Sequence, residues 1–261
     1  MKVADTKSVV VVGGGFGGVK AALELSRNEE FSVTLISDKT DFRYNPTLYH
    51  TATGGLFRQS SIPLKDILHG GSITFIHAAA QKLDRATQSI ELDNGEVVSY
   101  DTIVLALGVV TNYFHIDGLE KYSFGIKSIE EVAEFKAHLH KLLVEKKKPD
   151  LNYIIVGGGP SGVELAGVLP GYVRQVMKKH GLKDHRVSVR LIEAAPRLLP
   201  RSHESISSAV KKRLYHLGVK VATSQIVRGL DEDSLLVGEK DVPSHTVVWT
   251  AGTANNPFFK E

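Results

Sequence analysis

The sequence contains no cysteine, so disulfide bonds and thiol-dependent reactions are excluded within these 261 residues. Charge of one sign is not in large excess either. The net charge is only +3, and a nucleic acid is therefore not an expected partner. Long apolar runs are missing as well: the opening run is too short for a signal peptide, and no stretch approaches the roughly 20 apolar residues that cross a bilayer. We therefore expect a cytoplasmic protein.

Glycine, in contrast, is abundant, with 24 residues. The chain is 42% hydrophobic and 23% charged, which is typical of a folded globular protein. Its length is sufficient for two moderate α/β domains.

The first glycine cluster follows a run of valines and precedes a helical pattern. Gly13, Gly15 and Gly18 have the spacing G-x-G-x-x-G. The first glycine allows a tight turn, the second lets backbone N–H groups approach a pyrophosphate, and the third lets the helix lie close to the strand. Phe16 and Gly17 lie between them, at the helix N-terminus, where unpaired donors and a partial positive charge favour phosphates. This stretch predicts a dinucleotide site.

A carboxylate follows the second strand of this pattern. Residues 31–36 form the strand, and Asp38 lies 20 residues after Gly18, where it can accept a hydrogen bond from a ribose hydroxyl. One such motif is a weak signal, because glycine turns also join strands to helices without binding a ligand.

The pattern occurs a second time. Gly157, Gly159 and Gly162 follow another apolar run, with Pro160 and Ser161 between them at the start of another helix. This repeat indicates a second dinucleotide site.

The second repeat also ends its second strand on an acid. Glu193 lies 31 residues after Gly162, and an extended helix and turn account for the longer interval. Two complete strand–turn–helix–strand–acid patterns favour two bound dinucleotides over glycine turns that bind nothing.

These motifs resemble those of the two-dinucleotide-binding flavoprotein oxidoreductases. Within them the chain is similar to the type II NADH:quinone dehydrogenases and the related sulfide:quinone oxidoreductases. The matching segments are VVVVGGGFGG, VTLISDKTDFRYNPTLYHTATGG, TIVLALGVVTNYF, IIVGGGPSGVELAG, VRLIEAAPRLLPR and TVVWTAGT. The resemblance spans nearly the whole chain and implies FAD in the first site and NADH in the second.

The resemblance also implies the fold class. We expect an α/β protein with two Rossmann-like domains, in which the NADH domain interrupts the FAD domain. The implied boundaries are 1–122 for the first FAD segment, 123–243 for the NADH domain and 244–261 for the return to the FAD domain.

Further flavin contacts follow from the resemblance alone. It places Pro46 and His50 near the ribityl chain and ring, although an ordinary polar loop residue is an equal alternative for His50. Ala80 would touch adenine through its backbone. The turns that end the first FAD segment and begin the return to it contribute Ala106, Gly108, Ala251 and Gly252.

One catalytic residue is implied. Glu164 matches the family glutamate of the sequence G-V-E, which lies beside the nicotinamide and flavin. The resemblance assigns it to holding the nicotinamide carboxamide or to proton delivery. A glutamate favoured by the helix dipole in the first turn is the open alternative. No residue pattern indicates a catalytic triad or a metal site.

The implied function is an FAD-dependent NADH dehydrogenase that passes electrons to a quinone-type acceptor. A non-catalytic FAD- or NADH-binding or redox-sensing protein and a ferredoxin-type reductase are alternatives. Sulfide oxidation is disfavoured because it needs cysteine. In the family, further segments contact the membrane, which would place a longer form peripherally at the inner face of the plasma membrane. A homodimer is left open.

The end of the sequence carries a separate expectation. In the family the chain returns to the FAD domain with a Gly-Asp segment and then a C-terminal region that covers the ring. Residues 246–261 begin that return, and no Gly-Asp segment follows. The expectation is a shortened chain that retains little flavin and has negligible quinone activity, while weak NADH binding survives.

Overall fold

The computed structural model describes residues 6–70, 72–145, 151–182 and 186–260. The α-helices of this part of the chain are α1 (Phe16–Leu25), α2 (Leu48–Ala52), α3 (Leu64–Ile67), α4 (Leu119–Tyr122), α5 (Ile129–His140), α6 (Pro160–Lys179) and α7 (Glu204–His216). The strands are β1 (Lys7–Val12), β2 (Phe31–Ser37), β3 (Asp41–Arg43), β4 (Ser61–Pro63), β5 (Ile73–His77), β6 (Ala80–Asp84), β7 (Ser89–Leu92), β8 (Val97–Ser99), β9 (Thr102–Leu105), β10 (Val109–Thr111), β11 (Asn152–Val156), β12 (Ser188–Ile192), β13 (Val219–Ala222), β14 (Val227–Leu230), β15 (Ser234–Val237), β16 (Lys240–Pro243), β17 (Thr246–Trp249) and β18 (Thr253–Asn255). Short 3-10 helices cover Asn45–Thr47, Phe57–Gln59 and Pro257–Lys260, and a π-helical turn covers Lys141–Glu145.

The chain divides into two compact units, and the second interrupts the first. The first unit consists of residues 1–44, 61–110 and 253–261, and the second of residues 45–60 and 111–252. An interrupted first unit is the arrangement that the sequence predicts.

The boundaries differ from the predicted ones because three segments pack with the second unit. These are residues 45–60, 111–122 and 244–252. Leu48 of the first segment is buried in the main hydrophobic core of the second unit, and Leu119 of the next is fully buried in that unit's other core. The third segment contains β17, which pairs in parallel with β11 in the second unit's sheet.

A parallel sheet forms the centre of the first unit. Its strand order is β5-β2-β1-β9. Val10 and Val11 of β1 are fully buried, as expected for a parallel strand covered on both faces. Helix α1 buries Val19 and Ala22 in the core on one face of this sheet. The turn from β1 to α1 therefore lies at the carboxyl end of the strands, where α/β proteins bind nucleotides.

The second unit repeats this architecture. Its parallel sheet has the order β13-β12-β11-β17, and α6 buries Leu165 and Ala166 against it. Ile155 and Leu191, on the two central strands, are fully buried. Strands β14, β15 and β16 form a separate antiparallel sheet. The predicted fold class of two Rossmann-like α/β units is confirmed.

Candidate functional site

The turn between β1 and α1 needs glycine at its first and last motif positions. Gly13 has φ +116°, in the region that favours glycine, and a Cβ there would overlap the Ala106 carbonyl. A Cβ on Gly18 would overlap the carbonyl oxygen of Gly13. These two glycines are therefore required by the protein's own packing.

The turn between β11 and α6 has the same geometry. Gly157 has φ +115°, and a Cβ on it would lie 2.7 Å from Thr250 Oγ1. A Cβ on Gly162 would overlap the Gly157 carbonyl oxygen. The Thr250 hydroxyl donates to the carbonyl of Val156 at 2.8 Å and so holds the turn. Sequence reasoning missed Thr250, whose role depends on β17 lying beside β11.

The middle glycine of each motif has no such protein requirement. A Cβ on Gly15 or on Gly159 would meet no atom within 4 Å. Each is also the N-cap of its helix and provides no side-chain cap, so the first N–H groups of α1 and α6 are left for another acceptor. Open space over unpaired donors is what a bound pyrophosphate needs. The two turns thus fit two dinucleotides, FAD and NADH being the pair that the sequence predicts.

The remaining motif residues lie at the same helix N-termini. Phe16 and Gly17 begin α1 and are exposed, and the Phe16 ring contacts that of Phe42 edge-on at 4.8 Å between centroids. Pro160 and Ser161 begin α6 and are also exposed. Proline is well suited to this position because its missing N–H would be unpaired there anyway.

Glu193, the acid at the end of the second motif, is hydrogen-bonded to its own glycine turn. The Glu193 carboxylate accepts hydrogen bonds from the backbone N–H groups of Gly158 and, at 2.7 Å, of Ala195. Each carboxylate oxygen keeps a further lone pair. Glu193 can therefore hold the turn and still accept from a ribose hydroxyl.

Asp38, the acid predicted for the first motif, makes no such carboxylate hydrogen bond to its glycine turn among the described residues. Asp38 is exposed and follows the end of β2, and its backbone carbonyl lies 3.3 Å from His77 Nε2. Its assignment to a ribose hydroxyl stays a prediction.

The segment predicted to pass the flavin contributes to a cavity inside the second unit. Pro46 and His50 are exposed, in the 3-10 turn and in α2. His50, His140 and Tyr172 are among the residues lining a cavity of about 700 Å³. Burial raises the pKa of the Tyr172 phenol. The flavin contacts of Pro46 and His50 stay predictions.

The predicted small-residue positions of the first unit differ in their surroundings. Ala106 follows β9, donates its N–H to the Val12 carbonyl at 2.7 Å and supports Gly13. Gly108 has φ +68° with open space around it. Ala80 begins β6 at an irregular point of its pairing with β7.

The return turn of the second unit is held by a lysine that sequence reasoning missed. Ala251 and Gly252 follow β17, and Gly252 has φ +74°. Lys127 Nζ donates to the Gly252 carbonyl at 2.7 Å, and burial lowers the pKa of this ammonium group. A half-buried lysine on a backbone carbonyl could not have been predicted from spacing, because the two residues are 125 positions apart.

Glu164 lies on the first turns of α6, just after the glycine motif, and is exposed. Partial desolvation of its carboxyl raises the pKa above the ordinary value of 4.5. The protonated form therefore persists to higher pH than in a fully solvated glutamate. Such a shift near a ligand site is compatible with proton transfer.

Two kinds of feature are absent from the described residues. No group of three or more histidine or acidic side chains in them has the arrangement of a metal site. None of their helices is long and apolar enough to cross a membrane.

Comparison with known proteins decides the family. Residues 7–261 match the pyridine nucleotide-disulphide oxidoreductase family. The chain belongs to this family. Membership of the pyridine nucleotide-disulphide oxidoreductases confirms the class of oxidoreductase that the sequence resemblance implies.

The three similar proteins described next are each longer than this chain. The type II NADH:quinone oxidoreductase of Staphylococcus aureus (strain NCTC 8325 / PS 47) is 28% identical over 272 residues, covering 98% of this chain and 67% of that protein. The NDH2 structure from Plasmodium falciparum in complex with NADH has a TM-score of 0.87 at 22% identity and covers 97% of this chain and 56% of that one. The sulfide:quinone oxidoreductase of Aquifex aeolicus has a TM-score of 0.77 at 23% identity, with 93% and 58% covered. The structural likenesses support the fold, and this chain spans little more than half of those solved chains.

Proposed function

We propose that the chain binds FAD at the first glycine turn and NADH at the second, and that it is an NADH dehydrogenase delivering electrons to a quinone. The observation that carries this proposal is the presence of two open glycine turns, at Gly15 and Gly159, in one chain. The relative at 28% identity, named a type II NADH:quinone oxidoreductase, supports the choice of donor and acceptor.

The protein's own residues would bind and orient the two dinucleotides. The N–H groups at the start of α1 and α6 would hold the two pyrophosphates, and Glu193 would accept from the adenosine ribose of NADH. When bound, FAD supplies a two-electron acceptor for the hydride of NADH. The protein would orient the nicotinamide and flavin rings, since hydride transfer depends on holding the two rings in contact.

Glu164 is the residue proposed to act at the nicotinamide. As a carboxylate it would accept from the carboxamide NH₂ group, and as a carboxylic acid it would donate a proton. Its raised pKa moves the pH range in which both forms coexist closer to neutral pH than for a solvated glutamate.

The acceptor is proposed to be a quinone and not a sulfur compound, because the 261 residues contain no thiol to exchange with sulfide. Quinones with long side chains reside in membranes, so we place the working protein at the inner face of the plasma membrane.

Substituting Glu164 by glutamine is expected to slow reduction of the bound flavin by NADH by roughly 10²- to 10⁴-fold, the range for loss of one general acid–base group. The measurement is stopped-flow reduction of the flavin by NADH, in the protein supplied with excess FAD, over a range of pH. The rate should rise with pH through the Glu164 pKa if the carboxylate form acts and fall if the acid form acts. Glutamine should flatten the profile in either case.

The matched control is Glu204→Gln, which removes an exposed glutamate from the first turn of α7. It should leave the rate and its pH profile unchanged. Equal rates for Glu164→Gln and the parent protein would return Glu164 to a helix-dipole role. Binding of both nucleotides without any reduction of the flavin would instead support the non-catalytic alternative.

A further inference from the structure

The two glycine turns can be matched atom by atom through their backbone hydrogen bonds. The Gly13 N–H donates to the Ile36 carbonyl at 2.8 Å, and the Gly157 N–H donates to the Ile192 carbonyl at 2.8 Å. The residue after each isoleucine therefore occupies the same place in its unit. In the second unit that residue is Glu193.

In the first unit the corresponding residue is Ser37. A Cβ built on Gly14 would lie 2.6 Å from Ser37 Oγ and 2.9 Å from Leu64 Cδ1. These two side chains thus line the glycine that follows the first motif position.

The second unit gives the same contacts with different chemistry. A Cβ built on Gly158 would lie 2.9 Å from Glu193 Oε2 and 2.7 Å from Leu198 Cδ2. A leucine occupies one neighbouring position in both units. The other position carries a carboxylate in the second unit and a hydroxyl in the first.

The consequence is visible in the hydrogen bonds. The Gly158 N–H donates to Glu193, whereas the Gly14 N–H has no acceptor among the described residues. Ser37 is only 4% exposed, and its Oγ accepts from the Lys39 N–H at 3.2 Å. Its hydroxyl proton is then available as a donor, and no charge is present at this point of the first turn.

We infer that Ser37 is the residue of the first turn that faces the adenosine ribose, and that the missing carboxylate weakens dinucleotide binding at this turn. This inference rests on the proposed function, in which the first turn binds FAD. A neutral hydroxyl contributes about half the strength of a charge-assisted hydrogen bond. Asp38, one residue further on, corresponds to Ala194 and lies outside this arrangement.

The test introduces a carboxylate at position 37. Ser37→Glu reproduces the residue at the matching position, and Ser37→Asp is a smaller second variant. FAD affinity, measured by fluorescence titration, should increase about tenfold, which corresponds to about 1.4 kcal/mol. Without nucleotide, the new carboxylate should accept from the Gly14 N–H and raise the melting temperature by about 2–4 °C.

The control is Ser32→Glu, the same substitution at an exposed position earlier on β2, which should change neither quantity. Unchanged affinity and melting temperature in both Ser37 variants would overturn the inference. A loss of FAD affinity in Asp38→Asn as large as the gain expected for Ser37→Glu would also overturn it, since Asp38 would then supply the ribose acceptor.

Failure of the proposed function has a different signature. If neither the parent protein nor any variant binds FAD, the first site is not a flavin site. The melting temperature without nucleotide then decides the inference: a rise in the Ser37 variants supports the matched position, and no rise overturns it.

Discussion

Substituting Gly159 by alanine is expected to weaken NADH binding by about 100-fold and to leave the melting temperature unchanged. The new Cβ would meet no protein atom within 4 Å, so the second unit should keep its stability. It would, however, stand where the pyrophosphate approaches the N–H groups of α6. Losing one or two hydrogen bonds to a charged group costs about 2.7 kcal/mol, or a factor of about 100. Calorimetric titration and thermal unfolding measure the two effects.

Gly162→Ala is the matched variant with the opposite expectation. Its Cβ would overlap the Gly157 carbonyl and lie 2.7 Å from Thr250 Oγ1. Relieving this overlap should cost about 1–3 kcal/mol and lower the melting temperature by several degrees. An equal loss of stability in the two variants, or undiminished NADH binding in Gly159→Ala, would contradict the assignment of Gly159 to the ligand.

NADPH is expected to bind at least tenfold more weakly than NADH, because Glu193 would accept from a free 2′-hydroxyl and repel a 2′-phosphate. Glu193→Gln keeps the shape and removes the charge, so most of this preference should disappear. Glutamine can accept only one of the two backbone N–H bonds that Glu193 accepts, and the melting temperature should fall as well. Dissociation constants for both nucleotides provide the measurement.

Nearby arginines are the competing influence on this preference. The Arg197 guanidinium donates to the carbonyls of Ser202 at 2.8 Å and Pro200 at 2.6 Å, so it would lose these bonds on turning to a 2′-phosphate. Arg201 is exposed, and Arg201→Gln tests its contribution. NADPH binding as tight as that of NADH in the parent protein would show that Glu193 does not set the preference.

The two glycine turns could be predicted because their determinants are local. Each requires a buried strand, a positive φ at its end and a close helix approach, all within about ten residues. Gly13 and Gly157 have φ values of +116° and +115°, so the sequence repeat corresponds to a repeated backbone geometry.

Features that depend on tertiary structure could not be read from spacing. Counting residues from Gly18 leads to Asp38, whereas the hydrogen-bond register of β2 gives Ser37 the position of Glu193. The packing of Leu48 with the second unit likewise depends on where α2 finds a hydrophobic core. Proline and glycine around this helix indicated only an irregular loop.

The central claim is that one chain holds FAD and NADH so that NADH reduces the flavin. Anaerobic addition of NADH to the FAD-loaded protein, followed by the blue flavin absorbance, tests this directly. We expect bleaching that saturates with NADH, and Gly159→Ala loaded with FAD should need about 100-fold more NADH for the same bleaching. Unchanged flavin absorbance while calorimetry shows NADH bound would contradict it.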